Sequence, residues 1–251
     1  MVAFAKALPR IRRQCERDLR RRGMSREKVL AAVVRLLEST LIRVGNDEYA
    51  RLNRSFGLTT MRGRHAEVDG TTVKFRFRGK SGTMHEVGLR DRRLASIVRQ
   101  CQDLPGQELF AYVDDDGEVR DVASDDVNAY IRDASGGQFS AKDFRTWAGT
   151  LLAYRALRAL QPEEHGPAAR RNVVEAMRQT AERLGNTPAV ARGSYVHPAV
   201  LEAYLDGGLR GALVDAAERQ EAPPIGADRA EEVAVVRLLR QRARHAKRAR
   251  T

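Results

Sequence analysis

The stretch RGSYVHPAVLEAY, residues 192–204, sets Tyr195 between Gly193-Ser194 and a predicted helix that begins near Pro198. One interpretation is a half-buried aromatic side chain that anchors the core. The other is a nucleophile held at the mouth of a helix, since a tyrosine hydroxyl can form covalent intermediates. The choice depends on which groups the rest of the chain can bring to this hydroxyl.

Four other polar residues stand in unusual settings, and each also has an ordinary structural explanation. Arg43, in LIRVGN, ends a predicted helix, where a cation complements the helix dipole. Lys80, in GKSG, lies at a glycine-flanked turn, where an exposed lysine is common. Arg145, in KDFRTW, lies in the first turn of a predicted helix, a poor place for a cation but a good one for binding phosphate. Asn186 follows Gly185 after a helix, where a left-handed cap is ordinary.

The composition favours a binder of polyanions. The 251 residues carry a formal net charge of +12, and 42% of them are apolar, so the chain is expected to fold around a core. The pI is about 10.3. A folded chain this basic is typical of nucleic-acid-binding proteins. Binding at a membrane surface is less favoured, because no long amphipathic segment concentrates aromatic residues on one face.

Several classes of protein are disfavoured by patterns that the sequence lacks. Cys15 and Cys101 make neither a disulfide framework nor a zinc cluster, and they fit a reducing cytoplasm. The five histidines have no partner at ligand spacing, and the carboxylates form no cluster at metal spacing. The phosphate-binding motif GxxxxGK[ST], a signal peptide and a transmembrane run are also missing. We therefore expect no metal, no nucleotide and no membrane partner, and a cytoplasmic location.

The elements predicted to position the polar residues are mostly helices. Hydrophobic spacing and capping residues predict helices over residues 4–22, 25–44, 49–56, 91–101, 124–134, 142–160, 168–184, 198–205 and 229–250. Ser25, Ser124 and Ser140 are predicted N-caps. Residues 221–227, with Pro223-Pro224, predict a linker.

One segment has a different character. RHAEVDGTTVKFRFRGKSGTMHEVGLR alternates polar and apolar residues and is rich in Val, Thr and Phe. Asp69-Gly70 is a two-residue hairpin signal, and residues 79–82 form a second predicted turn. The sequence therefore predicts a mainly α fold with a small three-stranded antiparallel sheet at about residues 60–90, an α+β class. Lys80 then stands at the tip of the second hairpin.

The polar residues also belong to a longer ordered pattern. The segments RVGNDEY, GLTTMRGRH, FRFRGKSG, KDFRTW and NTPAVARGSYVHP follow one another between residues 43 and 198. In these segments and their order the chain resembles the catalytic domain of type IB DNA topoisomerases, in the bacterial and poxvirus-like branch. The spacing from Asn186 to Tyr195 also fits that family. The resemblance implies residues 1–220 as the catalytic domain, followed at 221–251 by a linker and a basic C-terminal helix or tail.

The resemblance implies a role for each of the five residues. Tyr195 would attack a DNA phosphodiester and hold the 3′ end as a phosphotyrosine. Arg43 and Arg145 would bind the non-bridging oxygens of the scissile phosphate. Asn186 would donate a further hydrogen bond there, at a position where other branches of the family have histidine. Lys80 would protonate the departing 5′ oxygen.

A second set of residues matches family positions at or near DNA: Tyr49, Lys142, Arg62, Arg64 and His65. The partner implied is double-stranded DNA, bound by a monomer at the nucleoid without any cofactor. The activity implied is relaxation of supercoiled DNA without ATP or metal. One strand is cut, the duplex rotates and the strand is resealed, because the covalent bond stores the energy of the broken one.

Physical chemistry supports this division of labour. A free phenol has a pKa of about 10, so it is a poor nucleophile near neutral pH, and nearby guanidiniums favour the phenolate. Arginine matches two phosphate oxygens with its fork of donors and stays charged. Lysine suits proton donation, because its pKa falls readily in a cationic, desolvated place.

The sequence departs from the family pattern in two respects. Relatives carry a β-rich domain ahead of the catalytic one, and this chain begins where that domain would end. It is therefore expected to behave as a catalytic fragment, with weaker DNA binding and faster dissociation but with its chemistry retained. Asn186 in place of histidine removes a charged donor and keeps a neutral hydrogen bond.

Two other interpretations stay open. A tyrosine recombinase shares the fold and the Arg-Lys-Arg-Tyr chemistry, but it usually has HxxR where this chain has KDFR and Thr-Gly-x-Arg where this chain has LIRVGN. The C-terminal segment from Arg229 could serve the subunit exchange that recombinases use. The chain could also be a non-catalytic DNA-binding protein, for which the net positive charge would be enough. This interpretation predicts no special property of Tyr195 or Lys80.

Overall fold

The computed structural model describes residues 1–160, 166–209 and 229–248. They divide into two compact units. The N-terminal unit is Ala7–Phe144, and the C-terminal unit comprises Met1–Lys6 together with the chain from Arg145 onward.

Helices dominate the described residues, and the predicted mainly α fold with one small three-stranded antiparallel sheet is confirmed. The helices are α1 (Val2–Asp18), α2 (Arg26–Thr40), α3 (Asp47–Asn53), α4 (Arg92–Gln102), α5 (Ser124–Ser135), α6 (Ala141–Ala159), α7 (Pro167–Leu184), α8 (Pro188–Ser194), α9 (Pro198–Leu205) and α10 (Arg229–Arg248). The strands are β1 (Ala66–Asp69), β2 (Thr72–Arg78), β3 (Met84–Arg90), β4 (Ala111–Val113) and β5 (Val119–Asp121).

The N-terminal unit is built around α2 and the sheet. Nearly every residue of α2 from Val29 to Leu37 is buried, as expected for a helix packed on several sides. It contacts α4, α5 and the small hairpin formed by β4 and β5. The sheet has the order β1-β2-β3, and β2 buries Val73, Phe75 and Phe77 on the face that packs against α4. Alternation along β2 therefore gives the sheet one buried face.

The N-terminal unit also contains a buried polar cluster. The Tyr130 hydroxyl donates to Asp18 Oδ2 at 2.7 Å, and Asp18 is only 2% exposed. Burial acts to raise the pKa of Asp18, but hydrogen bonds from Gln14, Tyr130 and Arg21 outweigh it and hold that pKa below its usual value. The buried Asp18 carboxylate is therefore stabilised by hydrogen bonds from its neighbours.

The C-terminal unit is a packed set of helices. Gly185 ends α7 in the left-handed conformation, with φ of 60°, and α8 and α9 follow within a few residues. The inner face of α9 is buried, and the hydroxyl of its Tyr204 accepts a hydrogen bond from Asn172 on α7 at 2.7 Å. Helix α10 packs against α9. Among the helices described, none has both the length and the apolar composition needed to cross a membrane.

Some sequence predictions about the elements were wrong. Helix α2 ends at Thr40 rather than near Val44, because Leu41 adopts a left-handed conformation with φ of 58°. The first hairpin turns at Gly70-Thr71 rather than Asp69-Gly70, since Asp69 pairs with Thr72. Ser124 is the first residue of α5, and its N-cap is Ala123.

Two elements were not predicted at all. The hairpin of β4 and β5 had a signal in Asp116-Gly117, where Gly117 has φ of 81°. Helix α8 is only seven residues long and had no periodic pattern to reveal it. The predicted C-terminal helix is present as α10, whereas the predicted linker at 221–227 lies outside the described residues.

Candidate active site

Tyr195 ends helix α8. Its backbone N–H donates to the Ala191 carbonyl at 3.0 Å, and its side chain is half-buried. The preceding Gly193 and Ser194 do not form a separate turn, because they are the last two residues of α8. A Cβ added to Gly193 would meet no atom within 4 Å, so the placement of Tyr195 does not require a glycine there.

The glycine that matters to Tyr195 lies on α6. A Cβ on Gly149 would come within 2.6 Å of the Tyr195 carbonyl oxygen and 3.0 Å of the Tyr195 Cβ. One residue further along α6, the Thr150 hydroxyl oxygen accepts the His197 N–H at 3.2 Å. Thr150 in turn donates to the Thr146 carbonyl. Two adjacent positions of α6 therefore fix the backbone on either side of Val196.

Arg145 lies one helical turn before Gly149 on α6. Its guanidinium carbon is 5.0 Å from the centre of the Tyr195 ring, and its Nη2 donates to the Leu184 carbonyl at 2.8 Å. Arg145 is buried, with only 4% of its surface exposed to solvent. The prediction that Arg145 lies in the first turn of its helix was wrong, because α6 begins at Ala141. What the structure provides instead is a buried cation held beside the phenol.

Asn186 lies in the short connection between α7 and α8. Its backbone N–H donates to the Ala181 carbonyl at 2.9 Å, just after the left-handed Gly185. The next residue, Thr187, caps α8 by accepting the Val190 N–H, with Pro188 at the first helical position. Helix α8 therefore spans the interval from Asn186 to Tyr195 and sets its length.

In the N-terminal unit the predicted residues are held by two glycine-containing motifs that pack together. The Leu58 N–H donates to the Arg43 carbonyl at 2.9 Å, and the Thr59 N–H donates to the Val44 carbonyl at 2.7 Å. A Cβ on Gly57 would lie 2.7 Å from the Arg43 carbonyl oxygen, and Gly45 has φ of 112°. The motifs RVGN and GLTT are thus the two sides of one close backbone contact.

This contact changes the interpretation of Arg43. The residue lies three positions beyond the end of α2, in the connection between α2 and α3, rather than at the helix terminus as predicted. The helix dipole acts mainly within the last turn, so complementing it does not explain Arg43. Its position is set by the GLTT motif instead.

Lys80 stands at the tip of the hairpin between β2 and β3, as predicted, in a short 3₁₀ turn that follows Gly79. The side chain is exposed, and its Nζ lies 5.9 Å from the centre of the Tyr49 ring on α3. The Phe56 N–H donates to the Arg78 carbonyl at 2.7 Å, which ties the end of β2 to the segment after α3. The structure therefore brings Lys80 and Tyr49 together.

The predicted DNA-binding residues Arg62 and Arg64 line an open cleft of about 840 Å³ in the N-terminal unit. Arg51 and Arg54 also line the cleft, together with the carboxylates of Asp47, Glu108 and Asp121. Burial raises the pKa of Glu108, although Arg62 opposes that shift. Within the described part of the chain, the buried atoms Arg62 Nε and Glu108 Oε2 have no hydrogen-bond partner. The cleft can therefore offer guanidinium donors to an anion.

His65 and Lys142 differ from these arginines in their surroundings. The His65 ring packs on Phe56 with centroids 4.5 Å apart, and its Nδ1 accepts the Arg62 N–H at 3.1 Å. Burial, with Arg64 and Arg62, lowers the pKa of His65, so the neutral imidazole is favoured. Lys142 is exposed in the first turn of α6.

The five residues predicted to be catalytic fall into two sets. Arg43 and Lys80 belong to the N-terminal unit, and Arg145, Asn186 and Tyr195 belong to the C-terminal unit. Within the described residues no group of three or more His, Cys, Asp or Glu side chains could hold a metal ion. Cys15 and Cys101 are buried thiols, and burial raises the pKa of each to about 12.

Sequence reasoning missed Gly149 and Thr150, which position the Tyr195 segment, and the Leu184 carbonyl, which holds Arg145. Glycine in the middle of a long helix is costly, and this was the available signal for Gly149. Nothing in the local sequence marked the other two.

The fold and the site define the class of the protein. The chain matches the family described as eukaryotic DNA topoisomerase I, catalytic core, over residues 1–208, and it belongs to that family. The DNA topoisomerase 1B of Acanthamoeba polyphaga mimivirus is 30% identical over 209 residues, which are 80% of this chain and 62% of the viral protein.

Poxvirus proteins are similar as well. The DNA topoisomerase I of monkeypox virus and the DNA topoisomerase 1B of vaccinia virus (strain Copenhagen) are each 26% identical over 180 residues, 70% of this chain. The matched region is 54% of either viral protein, so the chain spans less than two thirds of the length of these relatives. The resemblance drawn from the sequence is confirmed.

Proposed function

We propose that the protein relaxes supercoiled double-stranded DNA by the type IB mechanism, through a transient break in one strand. The observation that carries this proposal is the buried Arg145 guanidinium, 5.0 Å from the ring of a half-buried tyrosine whose backbone is fixed by α6. A guanidinium beside the ring can bind a non-bridging oxygen of the phosphate that the hydroxyl would attack. Family membership supports the same assignment.

In the proposed reaction the Tyr195 oxygen bonds to the phosphorus of a DNA phosphodiester, and the bond from phosphorus to the 5′ oxygen breaks. Lys80 supplies the proton that the departing 5′ oxygen takes up. The phenol loses its own proton to water, and the Arg145 charge favours that ionisation. The 3′ end is then held as a phosphotyrosine. Attack by the 5′ hydroxyl reverses each step and reseals the strand, so no ATP is consumed.

The remaining residues have supporting roles in this proposal. Arg43 and Arg145 bind the non-bridging oxygens, where negative charge develops, and each such donor is worth about 3–4 kcal/mol of transition-state stabilisation. Asn186 adds a neutral hydrogen bond. Tyr49 and Lys142 lie at the phosphate, and Arg62, Arg64 and His65 contact the DNA beyond it.

We further propose that residues 1–220 form the catalytic domain and that residues 221–251 form a linker and a basic helix. The enzyme would act as a monomer in the cytoplasm, at the nucleoid, and would need neither metal nor nucleotide.

The test is relaxation of a supercoiled plasmid without ATP and with EDTA, for the wild type beside Tyr195→Phe. Wild-type relaxation is expected, together with a protein–DNA adduct that denaturant traps, and both should vanish in the variant. Tyr112→Phe, which alters a half-exposed tyrosine of β4, is the matched control and should stay active. A fully active Tyr195→Phe enzyme would contradict the proposal.

The polarity of the adduct gives a second readout. A duplex labelled at the 5′ end of the cut strand should yield a free labelled fragment only after the adduct is digested with protease. A label at the 3′ end should leave with the released 5′-hydroxyl fragment. The opposite pattern would place the tyrosine on the 5′ end and overturn the mechanism.

A further inference from the structure

Helix α10 has two faces of different chemistry. Val235 and Leu239 are buried, at 0% and 3% exposure. The opposite face is exposed and carries Arg237, Arg240 and Arg244, with Gln241 and His245 beside them. These positions recur at the three- and four-residue spacing of one helical face. The helix is therefore amphipathic, and its polar face is cationic.

The inner face of α10 contacts other parts of the C-terminal unit. Glu231 forms an ion pair with Arg155 of α6 at 2.7 Å, and Glu232 accepts from the Trp147 indole nitrogen at 3.4 Å. Further along, Arg242 forms an ion pair with Asp206, just after α9. The contacts with α6 and α9 fix which side of α10 faces outward.

The same contacts separate the charges of the helix. The acidic side chains in the described part of α10, Glu231 and Glu232, both lie in its first turn and point to α6. The outward arginines have no ion pair within the described residues. Arg237 and Arg244 are two turns apart, about 10 Å along the axis. The result is a row of cations with no neutralising acid on its own helix.

We propose that this outer face of α10, defined by Arg237, Arg240 and Arg244, is a second contact surface for the phosphate backbone of duplex DNA, separate from the residues assigned to cleavage. Arginines without acidic partners complement a polyanion, and binding them releases counterions from the duplex. A membrane is a poorer fit, because the apolar face that would enter a bilayer is already buried against the protein. Binding at this surface should not depend on the DNA sequence, since phosphate contacts position a protein without distinguishing the bases.

The test measures the binding constant for duplex DNA as a function of salt concentration. The parent protein is the Tyr195→Phe variant, so that binding is measured without cleavage. The variant is Arg237→Gln, Arg240→Gln, Arg244→Gln, since glutamine keeps the helix propensity of arginine. Loss of three phosphate contacts should make the plot of log binding constant against log salt concentration less steep, by about 2.7 in the magnitude of its slope. Between 50 and 200 mM salt, binding of the parent protein should then weaken about 40-fold more than binding of the variant.

The matched control removes the same charge elsewhere. Arg93, Arg120 and Arg178 are exposed but pair with Glu16, Asp114 and Glu175. Changing these three to glutamine gives the same net charge and should leave the slope within about 1 of the parent value. Equal slopes for the two triple variants would mean that only total charge matters, and they would overturn the proposal. A variant that bound DNA normally but lost binding to anionic phospholipid vesicles would also overturn it.

A second arm rests on the proposed function. With Tyr195 restored and the enzyme at saturating concentration, the α10 triple variant should form the covalent adduct on a short duplex at the wild-type rate. On a supercoiled plasmid at 150 mM salt it should remove fewer supercoils in each binding event, because it leaves the DNA sooner. If no adduct forms even with the wild type, the proposed chemistry fails while the binding arm still decides the role of α10.

Discussion

Tyr195 and Lys80 are assigned to the same chemical step but are held in opposite ways. The Tyr195 backbone packs against Gly149 so closely that no side chain fits between them, and buried Arg145 lies beside its ring. Lys80 is exposed at the tip of a hairpin, with the Tyr49 ring as its described neighbour. The position of the proposed nucleophile therefore depends on packing, whereas that of the proposed acid depends on strand register. Substitutions at the two places should therefore fail differently.

The largest effect is expected at the hairpin tip. Lys80→Ala should slow strand cleavage by about 10²–10⁴-fold, the range for loss of a positioned general acid. Thermal unfolding should be unchanged, because the side chain is exposed. Single-turnover cleavage of a short duplex measures the first quantity, and Lys74→Ala on β2, another exposed lysine, is the control.

A modified substrate tests whether Lys80 acts as an acid. Sulfur in place of the 5′ bridging oxygen gives a leaving group that departs without a proton. The Lys80→Ala enzyme should cleave this duplex at a rate close to that of the wild type. Equal slowness on both duplexes would show that Lys80 only binds DNA.

The next effect is expected on the packed side. Gly149→Ala places a Cβ 2.6 Å from the Tyr195 carbonyl oxygen, so the Tyr195 segment must move. A displacement of about 1 Å at a reacting group can cost about 10²-fold in rate. Alanine favours the helix by about 1 kcal/mol, which offsets part of the overpacking cost of about 1–3 kcal/mol. Cleavage should therefore fall far more than stability.

Gly193→Ala is the matched control for Gly149→Ala. Both glycines are helical, but a Cβ on Gly193 would meet no atom within 4 Å. It should cleave DNA at the wild-type rate and melt at the same temperature or slightly higher. If the two variants behaved alike, the close contact of α6 with Tyr195 would not matter to the reaction.

The same contrast explains what the sequence could predict. The hairpin that carries Lys80 has local signals, namely alternating Val and Phe and two glycine turns, and the structure has that hairpin. The neighbouring turn of the same sheet, between β1 and β2, was misplaced by only one residue. Local chemistry decides such an element, so a single sequence was enough to place Lys80.

The surroundings of Tyr195 depend on residues far apart in the chain. Gly149 and Leu184 acquire their roles only when α6, α7 and α8 pack. The costly mid-helix position of Gly149 was a local signal, but nothing local marks Leu184. Arg43 was misassigned because α2 ends early at Leu41, which adopts a left-handed conformation that is uncommon for leucine and that the sequence did not signal. The motifs singled out candidate site residues, but the contacts that hold those residues could not be inferred.

The smallest effect is expected from pH. His197 caps α9 by accepting the Ala199 N–H at its Nδ1, two residues after Tyr195. Burial lowers its pKa, as does the α-amino group of Met1, while Glu202 opposes the shift. The unfolded chain therefore binds a proton at His197 more readily than the folded one does. The stability that neutral His197 contributes is fully present above its ordinary pKa and is lost as pH falls from there through the lower pKa of the folded state.

Urea unfolding of wild type and His197→Asn at pH 7.5 and 5.5 measures this contribution, since asparagine also caps a helix but does not titrate. The wild type should lose more stability than the variant between the two pH values. His65, whose pKa is also lowered, stays in both proteins, so the difference between them reports His197 alone. An equal loss in both would place the acid sensitivity elsewhere. A larger loss in the wild type would show that protonation of His197 weakens the cap of α9, two residues after Tyr195.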